Sequence, residues 1–361
     1  MKLPCITMLA TLLLTVPAAA QLQITPPATT PSRPAEKQKP KPPAPAKKEA
    51  APAPKPSASP KPSPSPSPSP KPAATVIPAP PSEDPNVDLV FGAYQRGQYK
   101  TAFELATVRA QAGDPKAMTM LGELYSNAMG IRRDYAKAAE WYKRAADAGD
   151  REAMFALAML RISGRGGKVD KNEAVRLMAS AAKLGEPKAA YNLALLYLDG
   201  QTLPQDVRRS AELLRQAADA GLPEAQYALA TFYKEGTGVP KDLERAVRLL
   251  QAASLADNVD AEVEYAIAMF NGTGTPKNQP AAVALLRKAS RQGSAIAQNR
   301  LAWVLINGVG VPMDKVEGFK WHLVAKTSGK GDPELDKQLS DLPPEDRAKA
   351  EAAARKWLGT K

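Results

Sequence analysis

Between residues 225 and 254 the apolar side chains follow helical spacing twice. In AQYALATFYKEG (225–236) Ala225, Leu229, Phe232 and Tyr233 share one helical face, and in LERAVRLLQAAS (243–254) Ala246, Leu249, Leu250 and Ala253 share another. The spacing predicts two antiparallel helices joined by the loop GTGVPKD. The same pattern recurs along the chain. SNAMGIRRD (126–134), ISGRGGKVD (162–170), LDGQTLPQD (198–206), KEGTGVPKD (234–242), FNGTGTPKN (270–278) and INGVGVPMD (306–314) each begin 36 residues after the one before. Ala117, Ala153, Ala189, Ala225, Ala261 and Ala297 keep the same interval. A period of this size without insertion or deletion means stacked supersecondary units.

A glycine-rich turn before a helix, as in EGTGVPKD, suggests a phosphate site at first sight, because free N–H groups and the helix dipole attract anions. The acids argue against it. Asp134, Asp170, Asp206, Asp242, Asn278 and Asp314 stand where the second helix of each unit begins. Each is expected to cap that helix, with Glu173 and Glu317 placed three residues on to complete a capping box. A phosphate would face the carboxylate, and no Gly-Lys-Ser or Gly-Lys-Thr follows the glycines. Gly113, Gly149, Gly185, Gly221, Gly293 and Gly329 follow the second helices, where a positive φ ends a helix at little cost; Asp257 is the exception in that column. Ala230 and Ala246, small in most copies, are expected to let paired helices approach closely.

The pattern Ala-x3-Leu-Gly/Ala-x-Leu-Tyr, then Gly-x-Gly-Val-Pro-x-Asp, then Ala-x2-Trp-Tyr-x2-Ala-Ala-x2-Gly resembles the Sel-1-like repeat, a relative of the tetratricopeptide repeat with a longer loop. The unit at 117–149 carries it through Ala117, Leu121, Gly122, Leu124, Tyr125, Gly130, Asp134, Ala138, Trp141, Tyr142 and Gly149. Arg161 and Met269 stand where the motif has tyrosine, Gly164-Arg165-Gly166-Gly167 changes one loop, and the copy at 189–221 lacks the second loop glycine. The resemblance covers about residues 87–357 and implies an all-α fold, a right-handed α-solenoid of stacked antiparallel helix pairs with six repeats over 117–332. Some family members staple each repeat with a cysteine pair; this chain relies on packing alone.

The ends read as caps. Residues 83–116 form a degenerate first pair, with Ala102, Leu105, Ala106 and Gly113 in register but YQRGQYKTA shortening the loop. In residues 333–361 the stretch LPPEDRAKAEAAARKWL has proline ahead of an acidic first turn and basic residues late, as a capping helix should.

Upstream, composition changes the picture. The chain has 361 residues, 35 prolines and a net charge of +12. Residues 21–82 hold 21 of those prolines, including SPKPSPSPSPSPKP, and carry nine Lys or Arg against two Glu. With almost no apolar side chains to bury, this segment reads as a disordered linker, extended by its polyproline bias. Its positive charge suits an anionic envelope surface, and equally a soluble spacer. Residues 1–20 read as a secretory signal peptide: Lys2, an apolar run from Ile6 to Val16, and Ala18-Ala19-Ala20 before Gln21. A periplasmic or secreted location follows, the alternative being an uncleaved signal that tethers the chain to the inner membrane.

Cys5 and His322 are the only cysteine and histidine, which leaves little room for thiolate chemistry or a multi-histidine metal site. No cofactor, metal or nucleic-acid partner is expected, and His322 falls on the packing face of a second helix. Opposed carboxylates of glycosidase type remain open in principle, but no spacing selects a pair. If the first helices line a concave groove, its large side chains include Phe155, Met159, Tyr191, Leu195, Tyr227, Lys234 and Trp303, together with Ile162, Leu198, Val263, Ile267, Phe270 and Ile306. Such a stripe suits a peptide or an amphipathic helix of another protein, with Lys234, Glu224 and Glu235 setting register, although any one of these residues is as readily packing between helices. The expected function is a non-catalytic envelope scaffold. The alternatives are a regulator holding the sensor domain of a membrane kinase, a role of some exported family members, and a wall-bound helper of an envelope enzyme.

Overall fold

The structure, a computed structural model, describes residues 88–359. The signal segment (1–20) and the linker (21–82) lie outside the described residues. Within them the chain forms sixteen helices and no strand. A short first pair, α1 (Leu89–Gln95) and α2 (Tyr99–Gln111), precedes six regular pairs. These are α3 (Pro115–Asn127) with α4 (Tyr135–Asp147), α5 (Arg151–Ser163) with α6 (Lys171–Lys183), and α7 (Pro187–Asp199) with α8 (Val207–Asp219). Then come α9 (Pro223–Glu235) with α10 (Leu243–Leu255), α11 (Val259–Asn271) with α12 (Gln279–Arg291), and α13 (Ala295–Asn307) with α14 (Lys315–Thr327). Two further helices, α15 (Pro333–Ser340) and α16 (Pro344–Gly359), end the described chain. From α1 to α14 each helix packs on its neighbours in sequence, which is an α-solenoid of stacked antiparallel pairs.

The start of each second helix is set by the acid or amide that the repeat keeps in register. Asp134 accepts from the N–H groups of Ala136 and Lys137, Asp170 from Glu173, Asp206 from Arg209, Asp242 from Arg245, Asn278 from Ala281 and Asp314 from Glu317. The reciprocal half of the expected capping box does not form. The cap residue's own N–H donates instead to the carbonyl nine residues earlier: Asp134 to Tyr125 at 3.1 Å, Asp170 to Arg161 at 3.0 Å, Asp242 to Tyr233 at 2.9 Å and Asp314 to Leu305 at 2.9 Å. That bond closes the hairpin and leaves Glu173 and Glu317 free for other partners. Glu173 pairs with Arg161 at 2.6 Å, and Glu317 with Arg287 at 2.8 Å. Arg161, which replaces a tyrosine of the motif, therefore keeps its helix tied to the next one by charge.

The loop glycines have separate tasks. Gly236 ends α9 in the left-handed region at φ 81°, where a side chain is costly. Gly238 lets the loop rest on the preceding pair: a β-carbon there would fall 2.6 Å from the carbonyl oxygen of Val207, at the start of α8. EGTGVPKD is thus a helix stop, an inter-repeat contact and a helix start.

The core is a column of small and aliphatic side chains between helices. Ala225, Leu229, Phe232, Tyr233, Ala246, Leu250 and Ala253 are all buried, as their spacing requires. At the C-terminal end α16 packs on α14, with the rings of Trp321 and Trp357 edge to face at 5.1 Å and the Lys320 ammonium 4.3 Å from the Trp321 ring centre. Leu335, Leu342, Ala350 and Ala354 complete the buried seam.

Candidate functional site: an open stripe along the first helices

The first helices α5, α7 and α9 carry the expected stripe. Phe155 and Met159 sit on α5, Tyr191 and Leu195 on α7, Tyr227 and Lys234 on α9, and all six are half-buried. Phe155, Met159, Tyr191 and Tyr227 pack against the core and remain partly open to solvent. The same columns close further along. Val263, Ile267 and Phe270 on α11 and Ile306 on α13 are buried, with Phe270 only 2% exposed, so these expected groove residues belong to the core. Asn299 donates to the carbonyl of Lys330 at 3.2 Å and Trp303 donates from Nε1 to Asp332 at 2.9 Å, which ties α13 to the segment entering α15. Trp303 is half-buried, but its indole is engaged in this tie.

A hollow of about 610 Å³ opens at the N-terminal end of the stripe. Its floor includes Tyr142, Phe155, Met159 and Leu160, and its rim includes Arg133, Tyr135, Arg165 and Lys188. Thus the structure brings Phe155 and Met159 together in one cavity, while Tyr191, Leu195, Tyr227 and Lys234 continue the stripe on the following repeats. Lys234 is not a free cation: its Nζ lies 3.0 Å from Glu264, bridging α9 to α11.

Arg133 and Arg165 escaped the helix-based reading because they come from loops. Gly166 approaches the Tyr135 carbonyl so closely that a β-carbon would collide with it, and this contact carries Arg165 over the Tyr135 ring. The Arg165 and Arg133 guanidinium carbons lie 5.4 Å and 5.8 Å from the centre of that ring. The altered Gly164-Arg165-Gly166-Gly167 loop was the available signal.

The charges around the hollow are unevenly matched. Glu123 accepts a 2.8 Å bond from the Tyr94 hydroxyl, whose pKa is pushed up to about 12 by burial and by that carboxylate. Glu152 lies 3.3 Å from Lys116, and Glu186 lies 3.8 Å from Arg151. Arg133, Arg165 and the Lys188 ammonium have no carboxylate partner among the described residues. Further along, the balance reverses. Burial raises the Tyr191 hydroxyl's pKa and Glu224 raises it further; burial, then Glu264, Asp260 and Glu235, do the same to Tyr227.

His322 is fully buried on α14, and its Nε2 lies 2.9 Å from Asp336 of α15. Asp336 also receives Lys326 at 2.8 Å, so this histidine belongs to a clasp between two helices. Among the described residues no three His, Cys, Asp or Glu side chains converge as metal ligands, and no helix is long and apolar enough to cross a membrane.

Comparison with known proteins agrees with this architecture. The family profile described as Sel1 repeat matches residues 115–150, 151–186, 187–222, 223–258, 259–294 and 295–329. Among solved structures the chain is similar to a Sel1 repeat protein from Oxalobacter formigenes, at 27% identity over 66% of this chain and 98% of that one, with a TM-score of 0.60. It also resembles a protective antigen present in uropathogenic Escherichia coli strains that displays an SLR fold; identity is 24% over 72% of this chain and 64% of that one, with a TM-score of 0.51, a likeness of fold alone. No curated protein matches the sequence. Six matched repeats, each a helix pair closed and capped in the same way, make this chain a member of the Sel1 repeat family.

Proposed function

We propose that this protein is a non-catalytic scaffold of the cell envelope that holds a peptide or helical segment of another protein along α5, α7 and α9. The observation that carries this reading is the contrast within one column: Phe155, Tyr191 and Tyr227 are half-open, whereas Val263 is buried. Aromatic side chains held rigidly at their base with one edge free are suited to act as anchors. The protein–protein interaction role of Sel1 repeats supports it. The commitment of the only histidine to Asp336 supports a non-catalytic role.

The location rests on residues 1–20 read as an export signal, and the +7 charge of residues 21–82 suits an anionic envelope surface. Replacing Tyr191 and Tyr227 together by Ala tests the groove. Capture of partner protein from envelope extracts is expected to fall while helix content, followed by circular dichroism, stays the same. Unchanged capture with an intact fold would rule the groove out.

A further inference from the structure

The matched and unmatched charges along the stripe differ from end to end. At the hollow, all three acids have partners within the chain, while Arg133, Arg165 and Lys188 do not. The two guanidinium groups flank Tyr135 and project at the rim, above the apolar floor made by Phe155, Met159 and Leu160. Guanidinium groups held in place by ring stacking keep their N–H donors available for a carboxylate.

Two repeats later the sign is opposite. Glu152 and Lys188, which line the hollow, occupy a position that recurs every 36 residues as Glu224 on α9 and Asp260 on α11. Asp260, Glu235 and Glu264 surround Tyr227, and Glu224 lies by Tyr191. Lys234 answers only Glu264, leaving Glu224, Glu235 and Asp260 without an ion-pair partner among the described residues. A partner that is uniformly acidic or uniformly basic therefore meets repulsion at one end of the stripe.

We propose that the stripe takes an extended protein segment in one orientation: acidic side chains in the hollow rimmed by Arg133 and Arg165, apolar side chains against Phe155, Tyr191 and Tyr227, and basic side chains beside Glu224 and Asp260. This rests on the stripe being the binding surface. Opposite unmatched charges at its two ends fix direction as well as register, because reversal places like charges together at both ends.

The test uses a synthetic peptide of about 15 residues, long enough at about 3.3 Å per residue to cross four helices spaced about 10 Å apart. It carries three Asp at one end, Leu and Phe in the middle and three Lys at the other, with benzoylphenylalanine next to either the acidic or the basic end. Irradiation is expected to join the acidic-end probe to fragments within residues 133–165 and the basic-end probe to fragments within 223–271. The reverse pattern, equal labelling of both regions, or no binding overturns the proposal. The double variant Arg133→Glu/Arg165→Glu is expected to weaken binding at least about tenfold while helix content is kept. Should that variant bind as tightly as the parent while Tyr191→Ala/Tyr227→Ala binds weakly, the orientation fails and the groove stands. Binding that neither pair of substitutions disturbs removes the groove itself.

Discussion

The ring of Tyr142 on α4 lies over Gly122 on α3 so closely that a β-carbon at Gly122 would fall 2.5 Å from the ring. In three of the other repeats the corresponding pairs are Ala194 with Leu214, Ala230 with Leu250 and Ala266 with Leu286, a larger first partner matched by a narrower second one; the remaining two pair Ala158 with Met178 and Ala302 with His322. Gly122→Ala is therefore expected to destabilise the protein by about 2 kcal/mol, as overpacking does. Adding Tyr142→Leu should recover most of that loss, because it restores the alanine–leucine pairing of three other repeats. Urea unfolding of the two single variants and the double variant measures the coupling. Simple additivity would mean the ring moves aside without cost.

Two positions hold a side chain where the other repeats place glycine. Ala128 ends α3 and Asp257 follows α10, both at φ 58°. A left-handed residue with a β-carbon costs about 1–2 kcal/mol, part of which glycine returns through its freer unfolded chain. Ala128→Gly and Asp257→Gly are each expected to stabilise the fold by about 0.5–1 kcal/mol in urea unfolding. The second substitution also removes the ion pair between Asp257 and Lys288, which is exposed and contributes little to stability.

Acid should weaken the last repeat through Glu317. Burial pushes its carboxyl up, but the hydrogen bonds from Arg287 and Trp321 and the charges of Arg287 and Lys320 outweigh it, so its pKa lies below the ordinary 4.5. A carboxylate whose folded pKa is depressed contributes stability that is complete above its unfolded value and is lost as pH falls through the folded one. Unfolding measured from pH 6 down to about pH 3 should show this loss beginning near 4.5. Arg287→Met should flatten the dependence in that window. An unchanged slope would mean the ion pair does not contribute to stability.

Much of this architecture is legible in residue order alone, because a fixed period turns each packing requirement into a column. The alanines, the helix-ending glycines and the capping acids are local needs that repeat, so spacing reveals them. What spacing misses depends on neighbours. Glu173 sits where a capping box wants it, yet the Asp170 N–H is taken by the Arg161 carbonyl, and Glu173 turns to the Arg161 side chain. Val263 and Tyr227 share a column, but one is buried and the other half-open, which spacing alone does not distinguish. The stacking of Arg133 and Arg165 on Tyr135 joins loops of two repeats and leaves no period to detect.

The most direct test of the protein-binding role is photo-crosslinking in cells from four positions of the full-length chain. A photoreactive residue at Tyr191 or Tyr227 probes the open stripe, and one at Lys143 or Arg248 probes the exposed second helices. One and the same protein captured from both tyrosine positions, and from neither second-helix position, is the expected result. Capture of that protein from Lys143 or Arg248 alone would contradict it, placing the binding face on the opposite side of the repeats.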